Sequence, residues 1–145
     1  METILQKLRD NMKICGLSPL TQEAYLRCIN KYAAFIQKPI TEAGETEVKR
    51  FQLFLQEQRG FSPATRNQYA AALRFLYVVV LNQNWARERI RNARRYKRLP
   101  EVLSGSEMVA VLRAFDSLKH KVIALLCYGA GLRISEAISL ATAEK

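Results

Sequence analysis

A chain of 145 residues with 49% hydrophobic and 25% charged side chains is sized for one domain or two small ones and is too apolar to be wholly disordered. Its net charge is +10, and more than half of that excess, +6, lies in residues 84–100 (NWARERIRNARRYKRLP), against +4 over 1–83 and zero over 101–145. No apolar run is long enough to span a bilayer, and the charged, amphipathic N-terminus does not read as a secretory signal; Cys15, Cys28 and Cys127 have the spacing of neither a disulfide framework nor a zinc site, which fits a reducing cytoplasm.

The apolar periodicity is helical throughout. Ile4, Leu5, Leu8 and Met12 share one side of a first helix over about 2–14, which Gly16 ends. A repeat follows: residues 18–25, SPLTQEAY, and 62–69, SPATRNQY, both read S-P-x-T-x-x-x-Y. Each serine is an N-cap and each proline fills the first helical position, where a missing N–H costs nothing. Ile29, Tyr32, Ala33 and Ile36 follow the first tyrosine at the same offsets as Leu73, Leu76, Tyr77 and Val80 follow the second, tracing one helical face. Two long helices are therefore expected, over about 19–37 and 63–82. Between them, Val48, Phe51, Phe54 and Leu55 form the inner face of a helix over 45–59. These four helices make a bundle over 1–83.

Residues 84–102 then read as a basic linker with one short helical turn, anchored only by Trp85, Ile90 and Leu99 and stopped by Pro100. A clustered basic stripe is an electrostatic footprint for a polyanion, although a solvated linker has the same composition. A second unit spans 103–145. Ser104 and Glu107 form a capping box ahead of Met108, Val111, Leu112 and Phe115. Asp116 is placed to cap a helix over 117–128 whose apolar face is wide enough to need burial on most sides. A last helix begins near Leu132. Three helices cannot bury so apolar a central one, so this unit reads as the start of a larger domain.

His120 is the only histidine and lies between two lysines, on a helix surface. No catalytic triad, P-loop, HExxH or GxGxxG is present, and no cofactor or metal is expected. One segment offers chemistry: Gly129-Ala-Gly-Leu-Arg133-Ile-Ser-Glu136. A glycine turn leads into a helix N-terminus that carries Arg133, with Ser135 beside it. Backbone N–H groups, the helix dipole and a planar guanidinium aimed together suit a phosphate. Glu136, three residues on, can hold the arginine or cap the turn. A glycine-ended helix followed by a surface Arg–Glu pair has the same pattern.

Taken together, these segments resemble the tyrosine recombinase or phage-integrase family, of the Xer-like kind. ALLCYGAGLRISEAISL is similar to that family's first catalytic box, T-G-L-R-x-S-E-L after an apolar helix, with Ala130 in place of the usual threonine. KRLPEVLSGSEMVAVL resembles the opening of its catalytic domain, and the two S-P-x-T segments resemble helices of its SAM-like core-binding domain. The resemblance implies a mainly α fold: a four-helix core-binding bundle followed by the incomplete helical start of a catalytic domain. It implies a DNA-binding portion of a site-specific recombinase or integrase, whose chemistry is transesterification through a 3′-phosphotyrosyl intermediate without metal or nucleotide.

By that resemblance Arg133 corresponds to the first catalytic arginine and Glu136 to its supporting acid. The family's catalytic lysine, H-x-x-R box, second His/Trp position and nucleophilic tyrosine have no counterpart here, so these residues should be inactive alone. The implied partner is double-stranded DNA, with other recombinase protomers on it, and neither a membrane nor a small-molecule substrate. Candidate DNA contacts are Thr65, Arg66, Asn67 and Arg74 on the second repeat helix and Arg94, Arg95, Lys97 and Arg98 in the basic stretch. Two rival readings stay open: a non-catalytic DNA-binding protein, from a decayed frame or competing for recombinase sites, and a helical protein-interaction module.

Overall fold

The computed structural model describes residues 2–94 and 102–142, and within them all regular structure is helical. The chain divides into two compact units, Met1–Lys97 and Arg98–Lys145.

The first unit comprises α1 (Glu2–Ile14), α2 (Pro19–Ile36), α3 (Glu45–Glu57), α4 (Pro63–Arg74) and a short α5 (Trp85–Arg89). The two repeat segments build the same cap. Ser18 Oγ accepts from the Thr21 N–H and shares a hydrogen bond with the Thr21 hydroxyl at 2.9 Å; Ser62 does the same with Thr65, at 3.1 Å. The cap dihedrals agree closely, −59°/151° and −57°/154°. The threonine of each motif is thus part of the cap.

The faces read from the sequence close a single core. Leu8 and Met12 of α1, Ile29 and Tyr32 of α2, Val48, Phe51 and Leu55 of α3, and Leu73, Leu76 and Tyr77 beyond the second cap are all buried in it. Aromatic rings occupy its centre. The Phe51 ring lies 5.1 Å from Tyr32, 5.2 Å from Phe35 and 5.6 Å from Tyr69, edge-on or tilted, as aromatic quadrupoles favour. Two phenols are buried with them. Tyr77 Oη donates to the Ala43 carbonyl at 3.1 Å, and its oxygen accepts from Tyr32 Oη at 2.8 Å. Burial first, and then the bond to Tyr77, raises the Tyr32 pKa; burial raises that of Tyr77. At the rim, Glu47 caps α3 by accepting from the Gly44 N–H, and the Lys38 ammonium 2.6 Å away is the main cause that lowers its carboxyl pKa to about 2.

The structure departs from the expected single helix over 63–82. After Arg74 the chain widens into a π-helical segment, Phe75–Val80, and Leu81 N–H reaches back to the Leu76 carbonyl. Both repeat helices end on a left-handed non-glycine residue, Gln37 at φ 53° and Asn82 at φ 52°. Gln37 follows its cap serine by nineteen residues and Asn82 by twenty. The wider turn absorbs the extra residue, and three consecutive valines, stiff at χ1, sit in it.

Residues 84–94, expected at the start of a linker, pack on the bundle. Ala86 and Ile90 are buried in its core, and the Trp85 ring lies 5.1 Å from Tyr77. The apolar pair at 86 and 90 lies one helical turn apart, a spacing that the surrounding arginines obscure in the sequence.

The second unit contains α6 (Gly105–Ala114), α7 (Leu118–Gly129) and α8 (Ile134–Thr142). Ser104 and Glu107 form the expected capping box, each accepting the other's backbone N–H. Asp116 does not cap α7. That position belongs to Ser117, whose side chain makes no cap bond, and Asp116 stands one residue too early to reach the first free N–H groups. Nor is α7 enclosed. None of its residues is buried, and Val122 and Leu125 are 44% and 50% exposed. Tyr128 is exposed and donates its hydroxyl to the Leu103 carbonyl at 3.3 Å. Only Met108 and Ala137 are buried among the described residues of this unit.

Two stability predictions follow from this contrast. Tyr77→Phe strands both the Tyr32 hydroxyl and the Ala43 carbonyl, at about 1–3 kcal/mol for each buried group left unpaired. Tyr32→Phe leaves the Tyr77–Ala43 bond intact and costs about 1 kcal/mol. Urea unfolding should therefore rank Tyr77→Phe as the more damaging. In hydrogen exchange, amides of 19–36 and 63–80 should be the slow set and those of 118–141 should exchange much faster.

Candidate nucleic-acid interface

The outward side of α4 forms the floor of an open groove. Tyr25 of α2 stands on one wall and Asn92 and Ala93 on the other, with Thr65, Asn67, Gln68 and Arg74 along the floor. A smaller notch adjoins it, where Arg66 and Arg91 meet Gln52 and Gln56 of α3. The wall at 91–94 is held by side chains from two helices. Gln52 Nε2 donates to the Arg91 carbonyl at 3.2 Å, and Arg74 Nη2 donates to Asn92 Oδ1 at 2.7 Å. Asn67 pairs with Ala93 twice: its Nδ2 donates to the Ala93 carbonyl at 3.0 Å and its Oδ1 accepts the Ala93 N–H at 2.6 Å.

The candidate contacts thus separate by what holds them. Thr65 is half-buried in the α4 cap, its hydroxyl shared with Ser62. Arg66 is half-buried, with Nη1 donating to Gln56 Oε1, and its Nε is buried. Asn67 is committed at both ends of its amide to Ala93. Arg74 reaches out of α4 to the wall, and Arg94 is exposed at the last described position of that wall. Arg95, Lys97 and Arg98 lie outside the described residues. What the groove adds beyond the sequence reading is Tyr25, Gln52, Gln56, Arg91 and Asn92. Gln52 and Gln56 are one turn apart on α3, yet nothing in a single sequence distinguishes them from other polar surface residues.

Docking residues 84–94 also concentrates charge. Arg87, Arg89, Arg91 and Arg94 are all exposed on a segment fixed to the bundle, and Arg91 lines the same notch as Arg66. Arg89 approaches Glu45 at 3.6 Å, an exposed pair that leaves the net charge of the segment strongly positive.

In the second unit, α7 ends at Ala130 and the chain turns through Gly131 at φ +65°. No neighbour would crowd a Cβ there, so the glycine answers a backbone need, not a spatial one. Arg133 immediately precedes α8. Its backbone N–H donates to Glu136 Oε2 at 2.8 Å and its guanidinium Nη1 to Glu136 Oε1 at 3.0 Å. Glu136 therefore both caps α8 and orients the arginine, whose side chain is 83% exposed. Positive charge at the head of a helix is unfavourable by itself; the carboxylate offsets it and leaves one face of the guanidinium open.

Among the described residues no group of three or more His, Cys, Asp or Glu could hold a metal ion, and no helix is long and apolar enough to cross a membrane. Burial pushes the Cys28 thiol up to about 11, the state of an unreactive core cysteine.

Residues 4–87 match the family model of the phage integrase N-terminal SAM-like domain. An integrase/recombinase of Sinorhizobium fredii is 32% identical over 141 residues, covering 97% of this chain and 46% of that protein. An Escherichia coli integrase/recombinase is 35% identical over 141 residues, covering 94% of this chain and 41% of its own length. The tyrosine recombinase XerA of Pyrococcus horikoshii is 31% identical over 114 residues, 77% of this chain and 40% of XerA. The chain belongs to the phage integrase, or tyrosine recombinase, family, and its first unit carries that family's N-terminal SAM-like domain. A crystal structure of XerA recombinase has the same fold, with a TM-score of 0.56 at 18% identity over 86% of this chain and 45% of that one. The chain spans less than half the length of these relatives.

Proposed function

We propose that these residues bind duplex DNA for a strand-exchange recombinase. The first unit lays α4 and the basic segment along the phosphate backbone, and Arg133 receives the phosphate at which strands are exchanged. The docking of residues 84–94 carries this reading. It fixes the first part of the most basic stretch, through Arg94, beside the groove and notch that hold Arg74 and Arg66. Fixed cations give up less conformational freedom on meeting a phosphate than mobile ones do. Contacts of this kind set affinity and position on the duplex, without reading its sequence.

Arg133 is suited to the second task. Its guanidinium is held by Glu136 at the head of α8, where backbone N–H groups also point outward, so two sources of positive potential meet. Such a group stabilises charge developing on a pentacoordinate phosphorus. It supplies neither nucleophile nor proton. Of the described tyrosines, Tyr32, Tyr69 and Tyr77 are buried in the first core, Tyr128 is bonded to Leu103, and Tyr25 is half-buried on the groove wall with its ring 5.9 Å from Phe75.

With about five phosphates contacted, the log–log salt slope of duplex binding should be about −4.5, and affinity should fall roughly 500-fold between 50 and 200 mM salt. Replacing Arg94, Arg95, Lys97 and Arg98 together by alanine should flatten the slope clearly; an unchanged slope would place the interface elsewhere. The same protein should neither cleave DNA nor remain attached to it in denaturant. A tyrosine-linked adduct on denaturing gels would refute this expected inactivity.

A further inference from the structure

Asn67 stands on the α4 face that the proposed DNA reading uses, but its side chain is turned to the chain itself. Its amide pairs with both backbone groups of Ala93, as one strand residue pairs with another, at 3.0 and 2.6 Å. Side chains of Gln52, Asn67 and Arg74 hold residues 91–93. The bonds from Gln52 to Arg91 and from Arg74 to Asn92 are single and exposed. The Asn67 pair is double and partly buried, where water competes less well. Upstream, the last apolar anchor is Ile90. Past that residue polar side chains bond residues 91–93, and of Gln52, Asn67 and Arg74 only Asn67 makes two bonds.

We propose that Asn67 is a positioning residue: its two-point clamp on Ala93 lays the basic segment along α4, so that Arg91 and Arg94 join Arg66 and Arg74 in one phosphate-binding edge. This rests on the duplex-binding reading above. It differs from a direct Asn67–DNA contact in a way that chemistry can separate. A direct contact needs only the Asn67 side chain. A clamp needs the Ala93 N–H as well, and that group can be removed without touching α4.

The test uses the full chain, a duplex oligonucleotide and three proteins: the unaltered chain, Asn67→Ala and Ala93→Pro. Fluorescence anisotropy gives the salt slope, and hydrogen exchange reports folding through the α4 amides and, in the unaltered chain and Asn67→Ala, clamp release through the Ala93 amide. If two phosphate contacts depend on the clamp, both variants should keep α4 protected and shift the slope from about −4.5 to about −2.7, so that affinity falls about 40-fold between 50 and 200 mM salt where the unaltered chain loses about 500-fold. In Asn67→Ala the Ala93 amide should become fast. Weaker binding by Asn67→Ala at an unchanged slope, with Ala93→Pro binding like the unaltered chain, would overturn the clamp in favour of direct contact, because a neutral amide releases no counterion. Unchanged slopes in both, or a still-protected Ala93 amide in Asn67→Ala, would overturn it outright. Should the unaltered chain fail to bind duplex, the duplex-binding reading falls, and the clamp's role in it falls with it; any of the other failures leaves that reading standing.

Discussion

Two hydroxyls buried between α2 and the π-helical segment set the geometry of the first unit. A phenol taken out of water without a partner is costly, and here two are buried a helix apart. They are tolerated because they form a chain, Tyr32 to Tyr77 to the Ala43 carbonyl, in which every link has ordinary hydrogen-bond geometry. Hydrophobic contact alone would allow the two helices to slide by a turn at modest cost. The hydroxyl chain does not, since a shift would strand a donor and an acceptor together. It ties α2, the segment after α4 and the short turn at Ile40–Glu42 that precedes Ala43 into one register. The outward face of α4, and so the groove, inherits its placement from that core.

The π-helical segment belongs to the same arrangement. An extra residue inside a regular helix would rotate everything beyond it by about 100° and, here, carry the left-handed stop at Asn82 off the line that Gln37 keeps in α2. A widened turn takes up the residue locally and returns the chain to the same left-handed stop that ends α2. The two repeat segments are therefore equivalent at their caps and their ends and differ between them. Trp85 packs on Tyr77 just past this segment, and Ala86 and Ile90 carry the basic stretch onto the core.

The second unit follows a different balance. Its helix caps are well made, at Ser104 with Glu107 and at Arg133 with Glu136, so local structure is well specified. Its tertiary burial is slight, because α6 and α8 are short and offer too little surface to cover α7. Arg133 is thus positioned by a cap and a carboxylate, not by a packed core.

Much of this was legible in local sequence, because caps and helical faces depend on residues three or four apart. The two S-P-x-T caps, the capping box at Ser104, the inner faces over 29–36 and 73–80 and the Arg133–Glu136 pair all rest on such short-range spacing, and the motifs that carry the family resemblance are short as well. The tertiary structure alone decided which partners meet at long range. Tyr32 with Tyr77, Asn67 with Ala93 and Arg74 with Asn92 are separated by 45, 26 and 18 residues. Seven basic side chains over 84–100 read locally as a solvated tether, since charge dominates composition. Over 84–94, burial of Ala86 and Ile90, the Trp85–Tyr77 contact and the side-chain bonds to 91–93 hold the segment to the bundle, because what fixes a segment is the burial and pairing available where it lands, and a linear sequence does not display that place.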